Sequence, residues 1–131
     1  MQRLLLLASA ITGFFAVALG AFGAHGLRSR LADAPDVARR LDWWDTASHY
    51  HLIHALALGV LALAVDRVDP AWIRRAALAT LAGIALFSGS LYVMALTGVT
   101  RWGAVTPIGG LGLLAGWALF AVGALRARPH E

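Results

Sequence analysis

Three histidines, His49, His51 and His54, stand in the first half of the apolar run at residues 46–65, TASHYHLIHALALGVLALAV. Nothing else inside an apolar run of this chain can change charge near neutral pH. A helix of about 20 residues crosses the hydrocarbon core of a bilayer, and Asp66 fixes where this one must end. At about 1.5 Å per residue, counting back from Asp66 leaves His49 near one interface, His51 just inside it and His54 on the order of 12 Å deep. His54 is therefore the costly residue. Tyr50, His51 and His54 share one helix face because residues three and four apart are neighbours on a helix surface, while His49 points elsewhere.

An imidazole at that depth could carry a proton or hold a ligand. It could equally stay neutral and bond across helices to Ser88, Tyr92 or Thr106. A metal site on His25, His51 and His54 would need three imidazoles converging with bonds of about 2.0–2.1 Å. No carboxylate or thiolate lies at comparable depth to assist them. Haem ligation by His25 and His54 is a further alternative, and their nearness to one membrane end argues against a buried macrocycle. A triad of Ser88 or Ser90, His54, and Asp42 or Asp45 lacks the strained turn that exposes a nucleophilic serine. All seven acidic residues fall outside the apolar runs, so proton coupling through a buried carboxylate is excluded. With no cysteine, so are disulfides, thiolate nucleophiles and iron–sulfur centres.

The elements that must position these groups follow from composition. Of 131 residues, 60% are hydrophobic and 14% charged, and the mean hydropathy is +0.71. That is too apolar for an ordinary soluble domain and describes a single small membrane domain. All eleven basic residues are arginines. They sit between apolar runs, where they serve as topology signals and headgroup contacts, so no nucleic-acid partner is expected. Four spans are expected, at about 4–24, 46–65, 76–97 and 104–125. The first apolar run is 21 residues, longer than the roughly 7–15 of a signal-peptide core, and is taken as a span. Its small residues Ser9, Gly13, Ala16, Gly20 and Ala24 line one face, where a neighbouring helix can approach closely. Residues 35–45 read as a short amphipathic helix on the membrane surface, turning into the second span, with Trp43 and Trp44 as an aromatic interface pair. Gly112 and Gly116 form a Gly-x-x-x-Gly pair in the fourth run.

Alternating direction along four spans brings the end of the first, the start of the second, the end of the third and the start of the fourth to one side. His25, Tyr50, His51, His54, Ser88, Ser90, Tyr92, Thr97 and Thr106 therefore lie in one half of the bundle. The other half is almost wholly aliphatic. Ser88 and Tyr92 share a face of the third helix, with Ser90 on the far side. Gly20, Gly23 and Gly26 bracket His25 at an expected helix end, where glycine suits a left-handed cap. Thr106 is placed as the N-cap of the fourth helix, with Pro107 in its first turn. Six arginines on the side of the termini against five on the other give only a slight preference for cytoplasmic termini.

Four stretches also carry a resemblance: GAFGAHGL at residues 20–27, Y-x-x-x-HALAL at 50–58, FSGSLY at 87–92 and TPIGG at 106–110. Together and in this order they resemble the domain of unknown function 423 family, small and mostly bacterial multi-pass membrane proteins similar to the eukaryotic transmembrane protein 256. The resemblance implies an integral membrane protein with no assigned biochemical activity. His25, Tyr50, His54, Ser88, Ser90, Tyr92, Thr106 and Pro107 match its motifs; His49 and His51 fall outside them.

The expectation is an all-α, four-helix transmembrane bundle in a bacterial inner membrane, with a short interface helix between spans one and two. Its function reads as non-enzymatic, with a one-sided polar pocket formed by His25, Tyr50, His54, Ser88, Ser90, Tyr92 and Thr106 for a small ligand, lipid or ion. No resident cofactor is read from the sequence. The alternatives are a metal or haem protein or enzyme using His25 and His54, and a structural subunit that meets a second copy or another membrane protein through its small-residue faces.

Overall fold

With no water in a bilayer core, every backbone N–H and C=O must be satisfied within the segment, and uninterrupted helices achieve this. The computed structural model describes residues 1–127 and shows four of them. They are α1 (Gln2–Arg30), α2 (Val37–Leu63), α3 (Pro70–Thr97) and α4 (Thr106–Leu125), with a 3-10 turn, Thr100–Ala104, ahead of α4. Each is long and apolar enough to span a membrane. Arg128, placed from the sequence on the side of the termini, lies outside the described residues.

Consecutive helices run antiparallel, and small residues set how closely they pack. On α1 the expected stripe meets α2: Ser9 Oγ donates to the Ala55 carbonyl at 2.8 Å, and Ala16 is buried. Between α3 and α4 the contact is glycine on glycine. A Cβ on Gly112 would stand 3.1 Å from Gly83 Cα, and one on Gly109 would collide with the Phe87 backbone. α2 and α3 are the inner helices, with 44% of each apolar window buried against 11% for α1 and 22% for α4. Leu58, Leu61, Ala62, Ile73, Ala77, Ile84 and Leu113 fill the aliphatic half, leaving the polar side chains to the other.

Turn chemistry fixes the ends of α3. The Asp69 carboxylate accepts from Ala71 N–H at 2.8 Å with Pro70 in the first turn. Gly98, at φ +72°, closes the helix by returning its N–H to the Met94 carbonyl at 2.8 Å.

Three local expectations change. The polar segment expected to lie on the membrane and turn is instead the opening of α2, one continuous helix from Val37. It is held there because Trp44 is not an interface residue. Only 3% exposed, Trp44 donates its indole N–H to the Leu19 carbonyl at 2.7 Å and packs on Phe22 and Tyr92. Trp43 is half-buried, with the Arg39 guanidinium 5.1 Å from its ring. α1 does not end at His25: residues Gly23–Leu27 form a π-helical turn that continues to Arg30. Gly23 has φ −59°, so its glycine is required for space and not for a left-handed cap. A Cβ there would lie 2.6 Å from Trp44 Nε1. Thr106, finally, caps nothing, since its hydroxyl turns to α3.

Candidate functional site

His54 faces α4 and is 5% exposed. Its Nδ1 lies 2.7 Å from the Tyr50 carbonyl oxygen, and its Nε2 lies 3.2 Å from Trp117 Nε1. An indole N–H only donates and a carbonyl only accepts. His54 is thereby fixed as the tautomer with its proton on Nδ1, donating to Tyr50 and accepting from Trp117. Neither ring nitrogen is left for a metal, a proton relay or a ligand.

Around it lies a cleft of about 440 Å³ between α2, α3 and α4, lined chiefly by Tyr50, His54, Phe87, Gly110, Leu114 and Trp117. The Tyr50 ring lies nearly parallel to the imidazole, 9° apart in plane with centroids at 6.1 Å, and sits 4.7 Å from the Phe87 ring. Tyr50, Leu114 and Trp117 are exposed at the cleft mouth. In a span that surface meets lipid. The wall is apolar apart from the occupied imidazole and the Tyr50 hydroxyl at its edge.

The remaining candidates are elsewhere. His51 is buried, with Nδ1 in a long 3.4 Å contact to the Tyr92 hydroxyl. Tyr92 lies against Trp44, 4.6 Å between ring centroids, so both belong to the junction of α1, α2 and α3. Ser90 Oγ is 3.0 Å from the Phe87 carbonyl and 2.7 Å from Thr106 Oγ1. Its single proton goes to the carbonyl, so Thr106 donates to Ser90 and the pair ties α3 to the start of α4. Ser88 is buried, and its hydroxyl has no partner among the described residues. His25 is exposed on the π turn, where only its carbonyl is engaged, accepting from Ser29 Oγ at 3.1 Å.

Thus Tyr50 and His54 come together, Ser90 pairs with Thr106, and His25 joins neither. Among the described residues no three His, Cys, Asp or Glu side chains gather as a metal would require. His25, His51 and His54 occupy three separate settings, and the metal or haem centre considered above has no donor set here. Asp42 and Asp45 border an α1–α2 groove away from His54, so no triad assembles.

Two residues were overlooked in the sequence. Trp117, the partner of His54, was signalled only by being an indole N–H inside an apolar run, which must find an acceptor. Arg40 reaches from α2 to the end of α3, where Nε donates to the Ala95 carbonyl at 2.7 Å and Nη2 to the Leu96 carbonyl. A cation on the last carbonyls of a helix is favoured, but no local spacing announced it.

The profile of a family described as protein of unknown function (DUF423) matches residues 19–110, a stretch that includes all four motifs. The chain belongs to this family. Relatives in the family are similar along almost their whole length. The UPF0382 inner membrane protein YgdD of Escherichia coli K12 is 43% identical over 127 residues, 97% of this chain and 93% of the relative. The UPF0382 membrane protein of Haemophilus influenzae is 42% identical over 121 residues, 91% of each. The UPF0382 membrane protein YwdK of Bacillus subtilis is 38% identical over 126 residues, 95% of this chain and 98% of the relative. No solved structure matches. Trp117 lies beyond the residues matched by the DUF423 profile, which is why its motifs did not lead to it.

Proposed function

We propose that this DUF423 protein is a non-enzymatic component of the bacterial inner membrane whose cleft between α2, α3 and α4 binds the apolar tail of a lipid-class molecule. One observation carries this: the cleft opens among exposed side chains of the apolar helices, yet its deepest polar group, His54, has both nitrogens bonded within the protein. A polar ligand or ion entering there would leave its own groups unpaired, which costs about 1–3 kcal/mol for each buried one. An apolar chain meets no such penalty. The volume falls within the roughly 300–1,000 Å³ usual for ligand pockets. Bulk lipid tails are as apolar as leucine, so selection among them rests on shape and aromatic contact. The relatives named as inner membrane proteins support the location.

The test is photocrosslinking in nanodiscs with a phospholipid bearing a diazirine at mid-tail. Label concentrated on residues 107–117 and Tyr50 is the expected result. Label spread evenly over the exposed faces of α1 and α4 would leave the cleft with no occupant of its own and would favour the structural-subunit alternative.

A further inference from the structure

At the opposite end of the molecule, two cations from different helices converge on one ring. The Arg75 guanidinium carbon, from α3, lies 5.3 Å from the centroid of Trp72, and that of Arg126, at the end of α4, lies 4.9 Å from the same centroid. The two charges are therefore within about 10 Å of each other. The helices are built to bring them there, because α4 presents Gly123 to the indole and a Cβ at Gly123 would stand 2.8 Å from Trp72 Cβ. Both guanidinium groups are exposed. Like charges repel, and a carboxylate between them would be the ordinary remedy. Asp69 is close in sequence, but its carboxylate caps α3. Among the described residues no ion pair involves Arg75, Arg126, Arg67 or Arg74, nor Asp66. Paired arginines on an aromatic platform, with no counter-ion among the described residues, leave room for an anion from outside the chain.

We propose that Trp72, Arg75 and Arg126 form a binding site for the phosphate of an anionic phospholipid headgroup. A phosphate would take charge-assisted hydrogen bonds of about 2.8 Å from the two guanidinium groups, their exposed side chains turning toward it, and arginine is better suited to this than lysine. Trp72 holds the two side chains in place and sits where tryptophan is enriched, at the membrane–water boundary. The site is independent of the cleft near Tyr50 and His54, and neither depends on the other being occupied.

Native mass spectrometry of the full chain tests this, comparing phosphatidylglycerol with phosphatidylcholine of the same acyl composition. The wild type should retain the first phosphatidylglycerol at least about fivefold better, since each arginine near an anionic surface contributes on that order. The double variant Arg75→Gln/Arg126→Gln should lose that preference. The variant Arg28→Gln/Arg101→Gln, which removes the same charge at the other end, should keep it. Equal loss in both double variants would mean diffuse attraction and overturn the site, as would no loss in the first. In phosphatidylcholine nanodiscs, millimolar inorganic phosphate should not raise the melting temperature. If it does so in the wild type but not in Arg75→Gln/Arg126→Gln, the ligand is a soluble phosphate and the lipid assignment fails.

Discussion

An indole N–H in a membrane span has no water to donate to, so Trp117 gives its proton to His54, and His54 gives its own to the Tyr50 carbonyl. This short relay joins α4 to α2 and makes His54 a bonding residue of the fold. Trp117→Phe should leave Nε2 a buried acceptor without a partner and cost about 0.5–2 kcal/mol in reversible unfolding in detergent. Imidazole ¹⁵N shifts give the sharper readout. The wild type should show His54 with its proton on Nδ1, and Trp117→Phe should show tautomer exchange; an unchanged spectrum would remove Trp117 from the relay. The burial of His54 and the face it shares with Tyr50 could be read from residue spacing. Its partner could not, because Tyr92 and Thr106 in the same half of the bundle turn to other neighbours, His51 and Ser90, and Ser88 has no partner among the described residues. Depth comes from counting residues, whereas direction comes from how each helix is rotated against the next.

Adjacent glycines separate the two kinds of helix contact. Gly109 rests on the Phe87 backbone, while a Cβ on Gly110 would meet only the Phe87 ring at 3.7 Å. Gly109→Ala should therefore force α3 and α4 apart and cost about 1–3 kcal/mol. Gly110→Ala should be neutral or slightly stabilising, since alanine is the better helix former. Melting temperatures of the two variants in the same detergent decide the matter, and equal losses would mean that α4 is rotated from the position described. Arg40 works at a helix end. Arg40→Met removes two charge-assisted hydrogen bonds from the Ala95 and Leu96 carbonyls, with an expected cost of about 1.5–3 kcal/mol. Hydrogen exchange should quicken over the last turn of α3 and not at its start. At this scale much was legible, including the small-residue stripe of α1, the Gly112–Gly116 pair, and Pro107 in the first turn of α4, whereas α3 opens at Pro70, six residues before the expected start of the third span. The unbroken α2 was not, because polar composition suggests the membrane surface, whereas the partners that anchor this segment, Leu19 for Trp44 and the Ala95 and Leu96 carbonyls for Arg40, are separated from it in sequence by tens of residues.

Across the whole molecule the helices pack in sequence order, with α2 and α3 inside, and divide the chain into an aliphatic half and a polar half. That division follows from alternating direction alone and was visible in the sequence. The polar half, however, is not one pocket: it resolves into the cleft at Tyr50 and His54, the junction of Trp44, His51 and Tyr92, and the Ser90–Thr106 tie. Of these the cleft, at about 440 Å³ and open between α2, α3 and α4, has room for another molecule. The measurement that bears most directly on this account is native mass spectrometry of protein extracted gently from its own membrane, comparing wild type with Gly110→Leu, whose side chain would enter the cleft from a position where a Cβ meets only the Phe87 ring, at 3.7 Å. The wild type should carry a stoichiometric lipid-class adduct, and Gly110→Leu should be as stable as the wild type but lack it. A wild type without an adduct, or an adduct equally retained by Gly110→Leu, would contradict lipid-tail binding in the cleft.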